Sequence, residues 1–249
     1  MQFLLIYILI VGLTLGSFYN VVGLRVPLKK SIVAPRSACP KCNHQLTALE
    51  LIPVLSYVMQ GGKCRSCKAP VSPLYPIVEL MTGLLFVLAP LVLGWSSELF
   101  IAWTLISLFM IIFVSDLSYM LIPDKVLLVF AGIFLLERIF LPLNPWWDSL
   151  VGAGVGFLLL LLIAIISKGG MGGGDIKLFA LIGFVVGIKL MLLSFFLSTL
   201  FGAIFGISGL IIGKLKRKNP IPFGPFIAAG TLTAYFFGDI IIQTYLSFL

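Results

Sequence analysis

Apolar runs of nearly 20 residues recur along the whole chain, from "FLLIYILIVGLTLGSFYNVVGL" at residues 3–24 to "FIAAGTLTAYFFGDIIIQTYL" near the end. Each can cross a hydrocarbon core about 30 Å thick at about 1.5 Å per residue. A soluble fold would have to hide all of them in one core, and 249 residues cannot supply it. Composition agrees: 60% of residues are hydrophobic and 10% are charged. The pattern predicts an all-α polytopic membrane protein of about eight transmembrane helices, over residues 3–24, 74–94, 98–115, 125–142, 149–167, 176–193, 194–213 and 224–247. The sixth and seventh adjoin around Met191–Ser194. The first run has no basic stretch before it and is too long for a secretory core, so it reads as a retained helix.

Three domains follow. Residues 1–24 form the first transmembrane helix, 25–73 a polar cytoplasmic segment, and 74–249 a seven-helix membrane domain. The segment 25–73 holds all four cysteines, the only histidine and eight of the seventeen basic residues. If it is cytoplasmic, the loops near 116–125, 168–177 and 213–220 are cytoplasmic too. Fifteen basic residues then face inside, among them Lys168, Lys177 and Lys214, and only Arg138 and Lys189 face outside. This bias fits the positive-inside rule and places both termini outside. It also accounts for the net charge of +8. A nucleic-acid patch is disfavoured, because the bases are spread over several loops without interleaved exposed aromatics. The lipid bilayer is the implied surrounding, and no nucleic-acid partner is expected.

"CPKC" at 39–42 and "CRSC" at 64–67 are two CxxC knuckles separated by 21 residues. Paired knuckles can aim Cys39, Cys42, Cys64 and Cys67 at one tetrahedral centre. Structural disulfides are disfavoured on the cytoplasmic face, so zinc is the natural ligand. Four sulfurs close the coordination shell, which makes the site structural. His44 could replace a cysteine but reads as a surface residue, and a redox pair is the weaker alternative. So short a segment buries little core, and metal binding would supply its folding energy. The stretch "LIPVLSY" at 51–57 reads as a docking turn.

Carboxylates inside a bilayer are costly and need a reason to be there. Asp116 closes the third span and Asp175 opens the sixth, both at the predicted cytoplasmic side. Two carboxyls that meet titrate as a pair, one ionised and one protonated. The first can take a proton from water while the second polarises a peptide carbonyl. The alternative is that each is a helix cap or an interfacial residue; Asp175 is a plausible N-cap. Asp124 also reads as a cap, and Asp148 and Asp239 as interfacial. The glycines Gly172, Gly173 and Gly174 before Asp175 could let a peptide backbone approach it, and they permit positive φ.

Six ordered motifs carry a resemblance. They are "GSFYNVVGLRVP" at 16–27, the two knuckles, "IPVLSY" with "YPIVELMTG" at 75–83, "DLSYMLIPD" at 116–124, "GGGD" at 172–175, and "IPFGPFIAAG" at 221–230. Together they resemble the type IV prepilin peptidases, or leader peptidase/N-methyltransferases, over nearly the full length. The detail is most similar to competence-type members of Gram-positive bacteria. One departure is Leu51, where many members carry Asn.

The resemblance implies a bacterial cell-membrane enzyme of the GxGD aspartyl protease class, a pattern that Gly173 and Asp175 fit. It implies Asp116 and Asp175 as the catalytic pair. It implies prepilins or pseudopilins as substrates, cleaved after a glycine at the cytoplasmic face to remove a short basic leader. N-methylation of the new N-terminal residue, usually phenylalanine, follows with S-adenosylmethionine as donor. Glu79 is the only carboxylate near the cytoplasmic end of the second span, and it is the candidate for binding the donor or the incoming ammonium; a polar helix contact is its alternative. Two other functions stay open: a peptidase without methyl transfer, and a non-enzymatic channel or assembly protein with a zinc-ribbon docking module.

Overall fold

The computed structural model describes residues 2–167, 170–213 and 221–248. Lys168 and the basic residues 214–218 of the orientation argument lie outside them. The described chain is helical, with two isolated β-bridges and no sheet. The helices are α1 (Gln2–Arg25), α2 (Leu55–Met59), α3 (Leu74–Leu93), α4 (Glu98–Tyr119), α5 (Asp124–Phe140), α6 (Asp148–Ile166), α7 (Gly173–Ile211) and α8 (Gly224–Ser247). Six of them are long and apolar enough to cross a membrane. Helix α5 has 17 residues, and α7 runs for 39 with a break inside.

That break corrects one sequence expectation. The chain does not divide at Met191–Ser194 but at Gly187, whose φ of 78° and ψ of 173° only glycine adopts readily. A helix break frees carbonyls on one side and N–H groups on the other. Both are met here. Arg138 of α5 is buried and donates from Nε to the Val185 carbonyl at 2.8 Å. Asp148, at the start of α6, accepts the Ile188 N–H at 3.2 Å. The cation thus sits at a helix C-terminus and the anion at an N-terminus, as the helix dipole favours.

The chain forms two compact units, Met1–Ser118 and Tyr119–Leu249. In the first, α1 packs on α3 through small residues. A Cβ on Gly12 would strike Gly83, and one on Gly16 would strike the Glu79 backbone. Small residues let helices approach closely where lipid offers no hydrophobic drive. Pro90 lies inside α3 and cannot bond the Phe86 carbonyl; the Trp103 indole of α4 donates to it instead, at 3.0 Å. Tyr19 of α1 and Ser107 of α4 share a buried hydrogen bond of 2.6 Å.

In the second unit, α6 and α7 meet backbone to backbone. A Cβ on Gly152 or Gly183 would collide with the other residue's backbone, and one on Gly156 with the Phe179 carbonyl. Helix α8 fits against α7 in the same way, with Gly230 beside Ser194 and Ser198.

Candidate metal centre and active-site carboxylates

Each cysteine knuckle is the same short turn. In the first, the Cys39 N–H donates to the His44 carbonyl at 2.9 Å, and the Asn43 N–H donates to the Cys39 carbonyl at 2.9 Å. In the second, the Cys64 N–H donates to the Ala69 carbonyl at 2.8 Å, and the Lys68 N–H to the Cys64 carbonyl at 3.0 Å. Asn43 and Lys68 hold equivalent places, with φ of 56° and 57°. The left-handed residue after each second cysteine curls the turn so that both thiols point one way.

The two turns bring four free thiols together. Sulfur–sulfur distances are 3.8 Å for Cys39–Cys67 and 3.9 Å for Cys42–Cys64, and all four sulfurs lie within 4.8 Å of one another. A tetrahedral ion with metal–sulfur arms of about 2.3 Å needs edges of about 3.8 Å, so this donor set fits one. The backbone N–H groups of Cys42 and Lys41 hold the Cys39 thiol down at about 6. The His44 N–H lowers Cys42 as well, but desolvation and the neighbouring thiols outweigh it and push that thiol up to about 12. His44 is not in the donor set: its Nε2 lies 3.2 Å from Glu50 Oε2.

Glu50 belongs to a 3₁₀ turn, Leu49–Leu51, and its side chain is 3% exposed. Its Oε2 accepts the Thr47 N–H and the Thr47 hydroxyl, each at 2.9 Å. Those bonds, with a smaller contribution from His44, hold its carboxyl down at about 2. The stretch 51–57 does dock. The Val54 N–H donates to Glu79 Oε2 of α3 at 2.7 Å. Val54 pays for this with a φ of 61°, rare for a β-branched residue. Between this segment and helices α1 and α3 is a cavity of about 480 Å³. Asn20, Glu50 and Glu79 line it, along with the buried Cys39 and Cys64. Asn20 and Glu50 were not among the sequence-derived candidates. Glu50 lacks any motif signal beyond its position three residues after Thr47, and Asn20 reads as one polar residue in an apolar run.

Asp116 is buried in the last turn of α4, in the first unit; α4 continues to Tyr119, so the residue lies within the helix. Asp175 is in the second unit, at the third position of α7. Its Oδ2 accepts the Gly172 N–H at 3.2 Å, so the N-cap is Gly172 and not Asp175, which reaches back to it from the third helical position. Among the described residues, no glycine from 170 to 174 has positive φ. The run serves close approach instead. A Cβ on Gly174 would lie 2.8 Å from the Ile122 Cβ, and one on Gly172 would lie 3.1 Å from Asp175 Oδ2. At Gly173 a Cβ would meet nothing within 4 Å. Lys177, one turn on, pairs with Asp124 at 2.8 Å to both carboxylate oxygens. Thus the loop before α5 rests on the first turn of α7.

The fold and the four-thiol cluster define a multi-pass helical membrane protein with an insert after its first helix whose four cysteines could hold a metal. Two family models match the chain. The Bacterial Peptidase A24 N-terminal domain covers residues 10–93, and the Type IV leader peptidase family covers residues 103–207. A prepilin leader peptidase/N-methyltransferase of Bacillus subtilis (strain 168) is 49% identical, over 95% of this chain and 96% of its own length. Proteins of the same description from Aeromonas salmonicida (strain A449) and Pseudomonas aeruginosa are 36% and 35% identical, over 95% and 96% of this chain and 91% and 92% of theirs. No solved structure matches. The chain belongs to the prepilin leader peptidase/N-methyltransferase family.

Proposed function

We propose that this chain removes the leader from prepilins or pseudopilins at the cytoplasmic face of the bacterial cell membrane and then methylates the exposed amine. Asp116 and Asp175 are the catalytic pair. The observation that carries this reading is the surroundings of Asp175: its carboxyl stands at a helix start beside open space at Gly173. An extended peptide needs such a gap to lie against an acid, and Gly172–Gly174 form the floor of that gap.

The chemistry balances without a metal in the cleavage step. One ionised carboxylate takes a proton from water, and the water oxygen adds to the scissile carbonyl carbon. The protonated partner hydrogen-bonds to the carbonyl oxygen. The carbon–nitrogen bond then breaks, and the leaving amine takes the proton. The pair titrates together, because two adjacent carboxyls do not easily both ionise. In the second step, the freed amine nitrogen attacks the methyl carbon of S-adenosylmethionine, the sulfur–carbon bond breaks, and the nitrogen gives up a proton.

Zinc is the ion that the four thiols suit, and it acts as a fold element of residues 25–73. The functional division is then an anchoring helix at 1–24, that segment, and a membrane domain at 74–249, with both termini outside and the active site inside. Asp116→Asn and Asp175→Asn should each abolish leader removal while the protein still accumulates in the membrane. Normal processing by either variant overturns the pair. Mass spectrometry of mature pilin N-termini tests methyl transfer, and an unmodified amine in wild-type cells removes it. Chelation should speed amide exchange at Cys39–His44 and Cys64–Ala69; unchanged exchange would deny the metal its structural role.

A further inference from the structure

We infer that Asp124 and Lys177 are positioning residues for leader cleavage: their ion pair fixes the loop that follows Asp116 against the helix start that carries Asp175. This rests on the cleavage reading above and concerns the placement of its two acids.

Chain order makes the pair more than a surface contact. Asp116 stands in the last turn of α4, and residues 117–121 alone separate it from Ile122. Asp124 opens α5 two residues further on. Asp175 is the third residue of α7, with Gly174 before it and Lys177 two residues after it. Two short stretches, each joined to one acid, therefore meet twice. Ile122 is buried, and a Cβ on Gly174 would lie 2.8 Å from the Ile122 Cβ, so the loop rests on the glycine next to Asp175. The Lys177 ammonium donates to both oxygens of Asp124 at 2.8 Å. A charged contact to both oxygens fixes orientation as well as distance. Met120 turns the chain out of α4 with a φ of 51°, a conformation that a non-glycine residue keeps only where its surroundings hold it.

The pair acts from behind the acid. Successive residues turn about 100° around a helix, so Lys177 leaves α7 about 160° away from Asp175. Its ammonium is directed away from a peptide held at Asp175 and is already engaged. Nor does the pair carry the fold. Its side chains are 54% and 69% exposed, where an ion pair adds little to stability. What it can do is favour one placement of the loop, and so of the helix end that bears Asp116, over others.

The test measures leader cleavage by the purified full-length chain in nanodiscs, with a prepilin as substrate, beside thermal unfolding. Lys177→Met and Asp124→Ala should each lower kcat about 5-fold, the most that an exposed pair shifts a balance between two arrangements, with KM and melting temperature little changed. Lys177→Arg can still bond both carboxylate oxygens, and the double variant Asp124→Lys with Lys177→Asp restores the pair in reverse. Both should regain most of the lost kcat. Unchanged kcat in the two single variants, a change confined to KM, or a loss that neither rescue repairs overturns the positioning role and leaves the cleavage reading standing. A wild-type chain that leaves prepilin whole removes the cleavage reading, and the positioning role with it.

Discussion

Asp148 and Asp175 share a local sequence pattern, although the basic-residue bias of the loops predicts opposite faces of the membrane for them. Each follows a loop and opens an apolar helix, and in the structure each carboxylate accepts a backbone N–H. What separates them is where that N–H comes from and what lies beside it. Asp175 bonds back to Gly172 of its own loop, next to open space at Gly173. Asp148 bonds to Ile188 of a different helix, and a Cβ on the adjacent Gly187 would collide with its carboxylate. One acid stands beside open space; the other is enclosed by the break it stabilises. Cap geometry alone therefore says little about chemistry, and the neighbouring volume decides.

The largest expected effect breaks the two apart directly. Asp175→Asn should reduce leader cleavage by roughly 10²–10⁴-fold, the usual weight of a general acid or base, with little change in melting temperature. Asp148→Ala should do the reverse: it removes the acceptor of the Ile188 N–H, should cost about 0.5–2 kcal/mol of stability, as lost helix caps do, and should leave cleavage per folded molecule intact. A cleavage assay paired with thermal unfolding reads both. Equal loss of cleavage in the two variants would erase the distinction.

The next effect tests whether the α7 break is built in. Gly187→Ala forces an alanine into a backbone region that costs about 1–3 kcal/mol, besides the collision with Asp148. Arg138→Gln should destabilise by about 1.5–3 kcal/mol, since it removes a charged donor from the Val185 carbonyl. Denaturation in micelles measures both. Stability unchanged in Gly187→Ala would mean that the helix can run straight through.

Much of this was legible in advance. The apolar runs mark the helices, and the CxxC spacing marks a centre whose sulfurs do come together. The division of α7 was not, because Gly187 is one glycine among many in apolar sequence, and its partners Arg138 and Asp148 are 49 and 39 residues away. Composition around Met191–Ser194 carries no trace of a break held by side chains from other helices. The cavity lining was hidden for the same reason: Asn20, Glu50 and Glu79 belong to three separate elements, and only packing shows that they share a space.

Within the glycine loop the contrast narrows to neighbours. Gly174→Ala must move Ile122, at an overpacking cost of about 1–3 kcal/mol. Gly173→Ala should stay within about 0.5 kcal/mol of wild type, as ordinary surface substitutions do. Gly173→Val should then slow cleavage without loss of stability, because its branches occupy the space that the substrate needs. A Val variant with full activity would show that the peptide approaches Asp175 from another side.

The smallest effect concerns a third carboxylate in the same local arrangement. Glu50 accepts the N–H of the residue three before it, as Asp175 does, and adds the Thr47 hydroxyl. Those bonds lower its carboxyl from 4.5 to about 2. A group depressed on folding stabilises the fold above its unfolded value. That contribution is complete above about pH 4.5 and is lost as pH falls through about 2. Thr47→Ala removes the hydroxyl and keeps the N–H, so the Glu50 titration should move partway up toward 4.5. Carbon NMR of labelled Glu50 follows it. An unmoved titration would mean that the backbone N–H alone sets the carboxyl, which would make Glu50 the same kind of backbone acceptor as Asp175 and shift the weight of their difference onto the space beside each.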